Sequence, residues 1–301
     1  MTTGTAWVAR DTAQGARAVA SNGTIIVALG YTSTPGVMTS SNGVTWVGPY
    51  ASAPAGNGWS DVLWAAGLGL FVAVGSGLCM TSPNGTVWAQ RTIPSVGAGW
   101  NYVAWSGSLL VATGQNGQAN GGQIATSPDG ITWTQRSSGG TNENGAWQGI
   151  AWNGAVFAAT TNFAPAANKC VITSPDGITW TLQSTADSTA SGSWTRIFAA
   201  PSGQLLLISN GTGLTGLMTS ADNGVSWTRR TRPGDASNVY AHAAWCTTNW
   251  VMVGDGTDGQ QVMTSSDGIT WTDQAAGIFA ANPAWVGVCS HSATMVVAVS
   301  G

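Results

Sequence analysis

The sequence predicts an all-β fold, a seven-bladed β-propeller built from four-stranded antiparallel blades. The first observation is a box motif, Thr-Ser-x-(Asp/Asn)-Gly-x-(Thr/Ser/Val)-Trp, which occurs six times along the chain. Its tryptophans are 42, 45, 47, 47 and 44 residues apart, a period that matches one propeller blade. The second observation is an inner-strand motif that alternates with the box motif and occurs seven times. A repeat of this length indicates the fold class before any single residue is considered.

The inner-strand motif is an aromatic residue, two variable residues, a small apolar pair and often a second tryptophan, followed by a turn and an apolar run. Each copy predicts two strands joined by a tight turn, because turn pairs such as Ser106-Gly107 and Asn153-Gly154 interrupt the apolar pattern. The copies run from Trp59 to Trp64, Trp100 to Trp105, Trp147 to Trp152, Trp194 to Ala199, Tyr240 to Trp245 and Trp285 to Ser290, with a degenerate copy from Ala16 to Ser21.

The two motif counts differ by one, and the N-terminal residues account for the difference. Residues 5–10, Thr-Ala-Trp-Val-Ala-Arg, are similar to the strand that follows each box, and the last inner-strand copy stops after two strands. We therefore expect residues 1–10 to complete the blade begun by residues 285–301, with Trp7 as the seventh box tryptophan. Such closure pairs the open strand edges at the two ends of the ring. Residues 1–301 are then one propeller domain.

Composition excludes several classes of partner. Charged residues make up 7% of the chain, against roughly 25% in an ordinary soluble domain, and the formal net charge is −3. Nine scattered Lys and Arg residues provide no electrostatic footprint for nucleic acid. No apolar stretch approaches the ~18 residues that cross a bilayer, so we expect no membrane insertion. The first residues show no secretory signal, with neither a basic nor an apolar segment.

The box motif predicts a turn and a packing anchor. In Ser127-Pro128-Asp129-Gly130, proline fixes φ, the Asp side chain accepts from nearby backbone N–H groups, and glycine tolerates a positive φ. The tryptophan that follows is expected to pack between blades. The structural acidic or amide residues are Asn42, Asn84, Asp129, Asp176, Asp222 and Asp267. The structural tryptophans are Trp7, Trp46, Trp88, Trp133, Trp180, Trp227 and Trp271.

Residues 220–227, Ser-Ala-Asp-Asn-Gly-Val-Ser-Trp, have the pattern Ser-x-Asp-x-Gly-x-(Thr/Ser)-Trp in full, and the other five boxes lack one residue before the glycine. On these residues the chain resembles the Asp-box (BNR, sialidase-like) repeat β-propellers over nearly its whole length. That family includes glycosidases, sorting receptors, assembly factors and lectin-like or virion-associated binding proteins. The resemblance therefore implies the fold and leaves the function open.

A sialidase of this family implies an arginine triad, a tyrosine nucleophile with a glutamate partner, and an aspartate acid/base. Here the one glutamate is Glu143, and Arg196-Ile197-Phe198 lacks the proline of the family's Arg-Ile-Pro motif. Four arginines lie three residues after a box tryptophan, which spreads them around the ring: Arg10, Arg91, Arg136 and Arg230. A general glycosidase needs two carboxylates roughly 5–10 Å apart, and the sequence identifies no such pair. We predict no catalytic residue, no metal ligands and no cofactor.

Candidate ligand-binding residues come from positions where the repeats differ. Two residues after each inner-strand aromatic lie Asp61, Tyr102, Gly149, Arg196, His242 and Gly287. Asp61, Tyr102, Arg196 and His242 are each singular, and equivalent placement on successive inner strands predicts that they line the central channel. A polar, hydrated channel wall is the alternative reading. The inner-strand aromatics Trp59, Trp100, Trp147 and Trp194 suit stacking on sugar rings if their edges reach the surface, whereas buried packing is the alternative.

The leading functional prediction is a non-enzymatic binding propeller that recognises a glycan or cell-surface receptor, as a tail or surface component of a phage or other virion. Low charge and abundant Ser, Thr, Asn and Gly favour a protein that works outside a cell, in a virion or extracellularly, with other virion proteins as further partners. Two alternatives stay open: a glycoside hydrolase or lyase, and a purely structural scaffold propeller within a larger assembly.

Overall fold

A computed structural model of the chain describes residues 15–30, 36–54, 58–94, 99–115, 122–138, 146–161, 170–185, 194–209, 216–231, 239–255, 262–274, 285–292 and 295–300. All the regular structure in these ranges is β-strand. Among the described residues, no helix has the length and apolar character needed to cross a membrane.

Strands follow one another in the antiparallel order expected of propeller blades. The first sheet consists of β1 (Ala16–Ser21), β2 (Ile26–Gly30) and β3 (Val37–Ser40). The second consists of β4 (Trp59–Ala65), β5 (Leu70–Gly75), β6 (Cys79–Ser82) and β7 (Ala89–Arg91), and the third of β8 (Trp100–Trp105), β9 (Leu110–Gln115), β10 (Gly122–Ser127) and β11 (Thr134–Arg136).

The fourth sheet consists of β12 (Trp147–Trp152), β13 (Phe157–Thr161), β14 (Val171–Ser174) and β15 (Thr181–Gln183). The fifth consists of β16 (Trp194–Ala199), β17 (Leu205–Ser209), β18 (Leu217–Ser220) and β19 (Thr228–Arg230). The sixth consists of β20 (Val239–Cys246), β21 (Asn249–Asp255), β22 (Val262–Ser265) and β23 (Thr272–Asp273), and a hairpin of β24 (Trp285–Ser292) and β25 (Met295–Ser300) follows.

The predicted all-β propeller is confirmed, but the predicted blade count is wrong. The described residues form six blades of three or four strands, and a two-stranded hairpin, rather than seven four-stranded blades. The inner-strand motif was counted seven times, yet that motif specifies two strands, and a blade needs a third and a fourth. At residues 285–300 no described strand pairs with the outer edge of β25. Residues 1–10, including Trp7, lie outside the described residues.

The inner strands form a closed ring around an axis. Each inner strand contacts the inner strand of the next sheet, and the last one, β24, contacts both β20 and β1. In chain order the inner strands are β1, β4, β8, β12, β16, β20 and β24. Buried apolar side chains gather between neighbouring sheets: one cluster joins the first sheet to the second, another the second to the third, and so on. The hairpin shares one cluster with the sixth sheet and another with the first. The core is therefore a set of seams between sheets.

Every inner strand carries a β-bulge at the same place. The register with the second strand shifts between Trp59 and Asp61, between Trp100 and Tyr102, and at the equivalent positions of the other five inner strands. A bulge leaves one residue unpaired and redirects the side chains beside it. The residue two positions after the aromatic therefore has the same orientation in every sheet.

The bulge brings the end of the second strand against the start of the inner strand. A Cβ on Gly75 or Gly114 would overlap the carbonyl oxygen of Gly58 or Gly99, the residue that precedes the inner-strand tryptophan. Gly254 is in the same relation to Val239. Glycine is required at these positions by close backbone approach.

The box residues satisfy the backbone of their own turns. Asp129 Oδ1 accepts from the N–H groups of Ile131 and Thr132 at 2.8 Å, and Ser127 Oγ donates to the same oxygen at 3.0 Å. The other five boxes contain equivalent hydrogen bonds from a backbone N–H to the side-chain oxygen of Asn42, Asn84, Asp176, Asp222 or Asp267. Backbone N–H donors lower the pKa of Asp129, Asp176 and Asp267 below its ordinary value.

The box tryptophans lie in the seams between sheets. Trp88, Trp133, Trp180, Trp227 and Trp271 are buried, and Trp46 is half-buried. The Nε1–H groups of Trp88, Trp133, Trp227 and Trp271 donate to the carbonyl oxygen of the box glycine three residues earlier. The extra residue of the box at 220–227 is Asn223, which adopts a left-handed conformation with φ 61°.

The outer-strand arginines serve the blades that contain them. Arg91, Arg136 and Arg230 each donate through Nε to the box threonine hydroxyl of the neighbouring strand, at 2.8–2.9 Å. In the fourth sheet Gln183 donates to Thr173 Oγ1 in the same way, at 2.8 Å. This shared contact holds the side chains within the outer part of their own sheets, away from the ring axis. Arg10 lies outside the described residues.

Candidate functional site

A cavity of about 250 Å³ lies on the ring axis, among the inner strands. Its walls come from six of them, β1, β4, β8, β12, β16 and β20. The contributing residues lie two to five positions after the inner-strand aromatic, just past the bulge. Equivalent positions of the inner strands therefore form the cavity wall, and the residue type at each position differs from one repeat to the next.

The four singular residues predicted from the sequence meet in this cavity. Asp61, Tyr102, Arg196 and His242 all line it, and each comes from a different sheet. Each side chain is half-buried, because it is surrounded by protein yet faces the cavity. Around the ring axis the wall therefore presents a carboxyl group, a phenol, a guanidinium group and an imidazole.

Arg196 reaches across one sheet to contact Tyr102. Its guanidinium carbon lies 4.3 Å from the centre of the Tyr102 ring, a cation–π contact. Between their strands, β16 and β8, lies β12, which places Gly149 at the equivalent position.

Asp61 is held by the next inner strand. Its Oδ2 accepts the backbone N–H of Val103 at 3.0 Å. Burial raises the pKa of this carboxyl group to about 7, against the lowering effects of the Val103 N–H and of the Arg196 charge. At neutral pH the group is therefore divided between its protonated and ionised forms, and serves as both a hydrogen-bond donor and an acceptor.

His242 is held in the same way on the opposite part of the wall. Its Nδ1 accepts the backbone N–H of Val288 at 3.4 Å, and its ring meets Phe198 edge to face at 4.8 Å. Burial, with a further contribution from the Arg196 charge, lowers the pKa of His242 to about 3. Burial also lowers the pKa of Arg196 to about 10, which leaves the guanidinium charged at pH 7. A neutral imidazole thus faces a charged arginine.

The inner-strand tryptophans are placed differently from the four polar residues. Trp59, Trp100, Trp147 and Trp194 are 0–2% exposed and lie in the seams between sheets. None of these indoles offers an exposed ring face to a ligand, because packing from the neighbouring sheet covers it. Their Nε1–H groups have no described hydrogen-bond partner.

Gly149 also lines the cavity, although it is not among the residues predicted to bind a ligand. The signal that was available is a glycine at a repeat position where other copies carry large polar side chains. Further lining residues are almost fully buried, with exposures of 1–7%: Val62, Val103, Ile150, Ile197 and Ala243.

The described residues offer few side chains that could catalyse hydrolysis or bind a metal ion. Among the described residues that line the cavity, Asp61 is the one carboxylate. Within the described ranges no group of three His, Cys, Asp or Glu side chains is placed to hold a metal ion. The acids Asp11, Glu143, Asp187, Asp235 and Asp258 lie outside the described residues.

The fold and the cavity together define the class of the protein: an all-β propeller with a polar cavity on its ring axis. No protein-family model and no curated protein sequence matches the chain.

Solved structures with a similar fold have varied roles. A structure described as YCF48 bound to D1 peptide is similar with a TM-score of 0.69 and 14% identity, over 97% of this chain and 91% of that one. Virginiamycin B lyase from Staphylococcus aureus has a TM-score of 0.73 and 10% identity, over 96% and 93%. The GH74 enzyme of Niastella koreensis has a TM-score of 0.53 and 16% identity, over 83% of this chain and 35% of that one. At these identities the likeness shows the propeller fold alone.

Proposed function

We propose that the protein is a non-enzymatic binding propeller that recognises a glycan through the cavity on its ring axis. The observation that carries the proposal is the convergence of Asp61, Tyr102, Arg196 and His242 on that cavity. Four different sheets each supply one unrepeated polar side chain.

The chemistry of the wall suits a ligand rich in hydroxyl groups. Sugar hydroxyls both donate and accept hydrogen bonds, and the wall offers both kinds of partner. Arg196 donates, Asp61 donates or accepts according to its protonation, and the inner-strand main chain supplies further groups. A cavity that combines apolar walls with a few convergent polar groups is typical of small-ligand sites.

A binding role fits the cavity better than glycoside hydrolysis. Hydrolysis of a glycosidic bond needs a second carboxylate roughly 5–10 Å from the first, and Asp61 is alone among the described lining residues. Asp61 is also tied to the Val103 N–H, an arrangement that holds it in place. The hydrolase alternative is therefore less well supported than the binding role.

The proposed setting is a virion or other extracellular particle. The six box turns support kinship with the Asp-box (BNR) propellers, a family that includes virion-associated binding proteins. The 7% content of charged residues and the abundance of Ser, Thr, Asn and Gly in the sequence support a role outside a cell. A cell-surface glycan would then be the partner, with other particle proteins as neighbours. Mass spectrometry of purified particles from the source culture tests this setting, and absence of the chain from them would contradict it.

A glycan array probed with the purified protein tests the binding role. We expect selective binding to a small set of glycans, and Arg196→Gln should weaken binding to those glycans by at least about 10-fold, because a charged donor in a low-dielectric cavity is worth roughly 1.5–3 kcal/mol. Titration calorimetry on the best array ligand measures the change.

Arg136→Gln is the matched control, since it removes the same charge from the outer strand. Gln183 shows that glutamine makes the same hydrogen bond to a box threonine that Arg136 makes. We expect this variant to bind as the wild type does. Absence of binding to every glycan would contradict the proposal. Equal losses of glycan affinity in the two variants would show that the cavity is not the binding site.

A scaffold role is the second candidate, and one observation favours it. Each described box turn leaves a β-branched aliphatic side chain 42–61% exposed: Val44, Val87, Ile131, Ile178, Val225 and Ile269. Exposed apolar side chains repeated around one face are suited to contact with another protein. Incorporation into a particle without glycan binding would support this candidate, and loss of incorporation on combined Ile131→Ser and Ile178→Ser exchange would identify the surface.

A further inference from the structure

Arg196 carries the fixed charge in the wall of the axial cavity. Among the described lining residues it is the one Lys or Arg side chain, and Asp61 is the one carboxylate. Burial lowers the pKa of Arg196 to about 10, so its guanidinium stays charged at neutral pH. Arg17 of β1 adds a second positive contribution, because its charge disfavours that of Arg196. The cavity is therefore electropositive whenever Asp61 is protonated.

The Arg196 guanidinium has hydrogen-bond donors that no described residue uses. Its central carbon lies 4.3 Å from the centre of the Tyr102 ring, and among the described residues this ring contact is accompanied by no hydrogen bond or ion pair. A guanidinium group carries five N–H donors in a fork that matches the two oxygens of a carboxylate. A charge held away from water is costly unless it is paired. A ligand carboxylate in the cavity would supply that pairing.

Asp61 determines whether the cavity attracts or repels such a ligand. Its Oδ2 accepts the Val103 N–H, which holds the carboxyl group in the cavity wall. In its protonated form the group is neutral, and its O–H donates to a ligand carboxylate. In its ionised form it repels a ligand carboxylate and itself balances the charge of Arg196, to which it is electrostatically attracted. Because burial raises the pKa of Asp61 to about 7, both forms are populated near neutral pH.

The other polar groups that face Asp61 come from four strands. Arg196 of β16 stays charged and His242 of β20, with its pKa lowered to about 3, stays neutral between pH 6 and pH 8. Tyr102 of β8 presents a phenol, and Arg17 of β1 adds positive charge. The change in cavity charge across this pH range therefore comes from Asp61.

An apolar wall lies beside these polar groups. On three inner strands the residue two positions after the polar one also lines the cavity: Leu63, Phe198 and Ala244. Residues two apart on a strand face the same side, so each of these side chains follows its polar neighbour along the axis. A ligand that combines a carboxylate group with the C–H face of a sugar ring meets both parts of the wall.

We propose that the axial cavity binds a carboxylate group of its ligand between Arg196 and protonated Asp61, so that the sugar it recognises is a sugar acid, and that ionisation of Asp61 releases it. The sugar part of this inference rests on the proposed function. The carboxylate site itself rests on the unused donors of Arg196 and on the single carboxyl group that shares its cavity.

Titration calorimetry with glucuronate, in low-salt buffers free of other carboxylates, tests the site. Aliphatic carboxylates are ionised throughout pH 6 to pH 8, so the ligand keeps its charge. Glucuronate should bind about 10-fold more tightly at pH 6 than at pH 8, since the protonated fraction of Asp61 falls from about 0.9 to about 0.1. Binding at pH 7 should take up close to half a proton (about 0.5), measured from the dependence of the heat on the buffer. Glucose, which has no carboxylate, is the neutral control.

Two cavity variants separate the roles of the two groups. Arg196→Gln should weaken glucuronate binding at pH 6 by at least about 10-fold, because the charged donor is lost. Asp61→Asn should bind glucuronate equally at pH 6 and pH 8 and take up no proton, because asparagine stays neutral and still accepts from Val103. Arg136→Gln, on the outer strand, should keep the wild-type affinity and pH dependence.

Glucuronate and glucose affinities that are equal, or a glucuronate affinity that is the same at pH 6 and pH 8 in the wild type, would overturn the carboxylate site. A pH dependence that survives Asp61→Asn would overturn the role of Asp61. Failure of the two proposals can be told apart with acetate and the glycan array. Acetate binding with the expected pH dependence but no glycan bound would keep the carboxylate site and remove the glycan function. Selective binding of neutral glycans alone would keep the glycan function and remove the carboxylate site.

Discussion

At the scale of single residues, position within the repeat decides what a side chain does. Asp129 and Asp61 are both aspartates, yet their pKa values move in opposite directions. Asp129 accepts two backbone N–H groups in an exposed turn, which stabilises its charge and lowers its pKa. Asp61 sits in the cavity wall, where burial disfavours the charge and raises its pKa to about 7. The first residue maintains a turn, and the second lines the axial cavity.

Asp61→Asn should change how stability depends on pH. The folded protein keeps the Asp61 proton up to about pH 7, whereas the unfolded chain releases it near pH 4, so this group lowers stability as pH rises from about 4 to about 7. Asparagine carries no charge to bury and still accepts from Val103. We expect the variant to match the wild type at pH 4 and to be more stable at pH 8 by up to about 4 kcal/mol, a figure that already includes the attraction between Asp61 and Arg196.

Thermal melts of both proteins from pH 4 to pH 8 measure the difference. The groups facing Asp61 remain in both proteins: Arg196 stays charged, and His242, with its pKa lowered to about 3, is neutral across this range. Subtracting the two curves therefore isolates Asp61. A variant that is less stable than the wild type at pH 8 would show that attraction to Arg196 outweighs the burial cost.

At the scale of elements, the bulged inner strand is the unit that builds both the seam and the cavity. The bulge turns the residue two after the aromatic toward the axis and leaves the tryptophan before it in the seam. The same bulge brings the preceding carbonyl against the end of the second strand, where glycine is needed. One local distortion therefore sets the core residue, the cavity-facing residue and the obligatory glycine.

Gly114→Ala should be strongly destabilising for this reason. The added methyl group would overlap the Gly99 carbonyl oxygen and press on the Trp100 backbone, so the bulge must shift. We expect a loss of at least about 3 kcal/mol in the free energy of unfolding, measured by urea titration.

Gly107→Ala is its control in the neighbouring turn. Gly107 has φ 99° and no atom within 4 Å of a Cβ built on it, so the cost there is conformational strain of about 1 kcal/mol or slightly more. Similar losses in the two variants would show that close approach at the bulge is not the constraint.

At the scale of the whole molecule, stability lies in the seams between sheets, and the ring is complete only when every seam is filled. The hairpin β24–β25 fills the last two. Val288 packs with residues of the sixth sheet, and Val297 and Val299 pack with Ala16 and Ile26 of the first. Among the described residues, these two strands connect the sixth blade to the first around the axis.

Val299→Ala should lower the stability of the entire domain. Val299 is 1% exposed, and removal of two buried methyl groups plus the cavity left behind costs about 2–3 kcal/mol. We expect the main calorimetric transition to move down by roughly 4 °C. Val225→Ala, at a 59% exposed box position, should leave it within about 1 °C. An unchanged main transition with early loss of hairpin signals would show that the hairpin is not part of the cooperative ring.

Much of the fold could be predicted from the sequence because the same two motifs recur in each blade. Six box motifs and seven inner-strand motifs indicate the period, the strand order and the turn chemistry, and the resulting all-β propeller is correct. The blade count was wrong because residues 1–10 were expected to complete the blade begun by residues 285–301, whereas no described strand joins the two-stranded hairpin of β24 and β25. Four site residues were selected because each is singular at a repeated position, and they share one cavity.

The sequence by itself determined the class of fold and the list of unrepeated residues at the positions past each bulge. Periodicity carries that information, because local turn and strand preferences recur every 42–47 residues. Only the tertiary structure decided that the Arg196 guanidinium lies against the Tyr102 ring, and that Asp61 and His242 each receive an N–H from the next inner strand. Those relations join residues of different sheets, and their geometry follows from how the sheets pack around the axis, which no local pattern encodes.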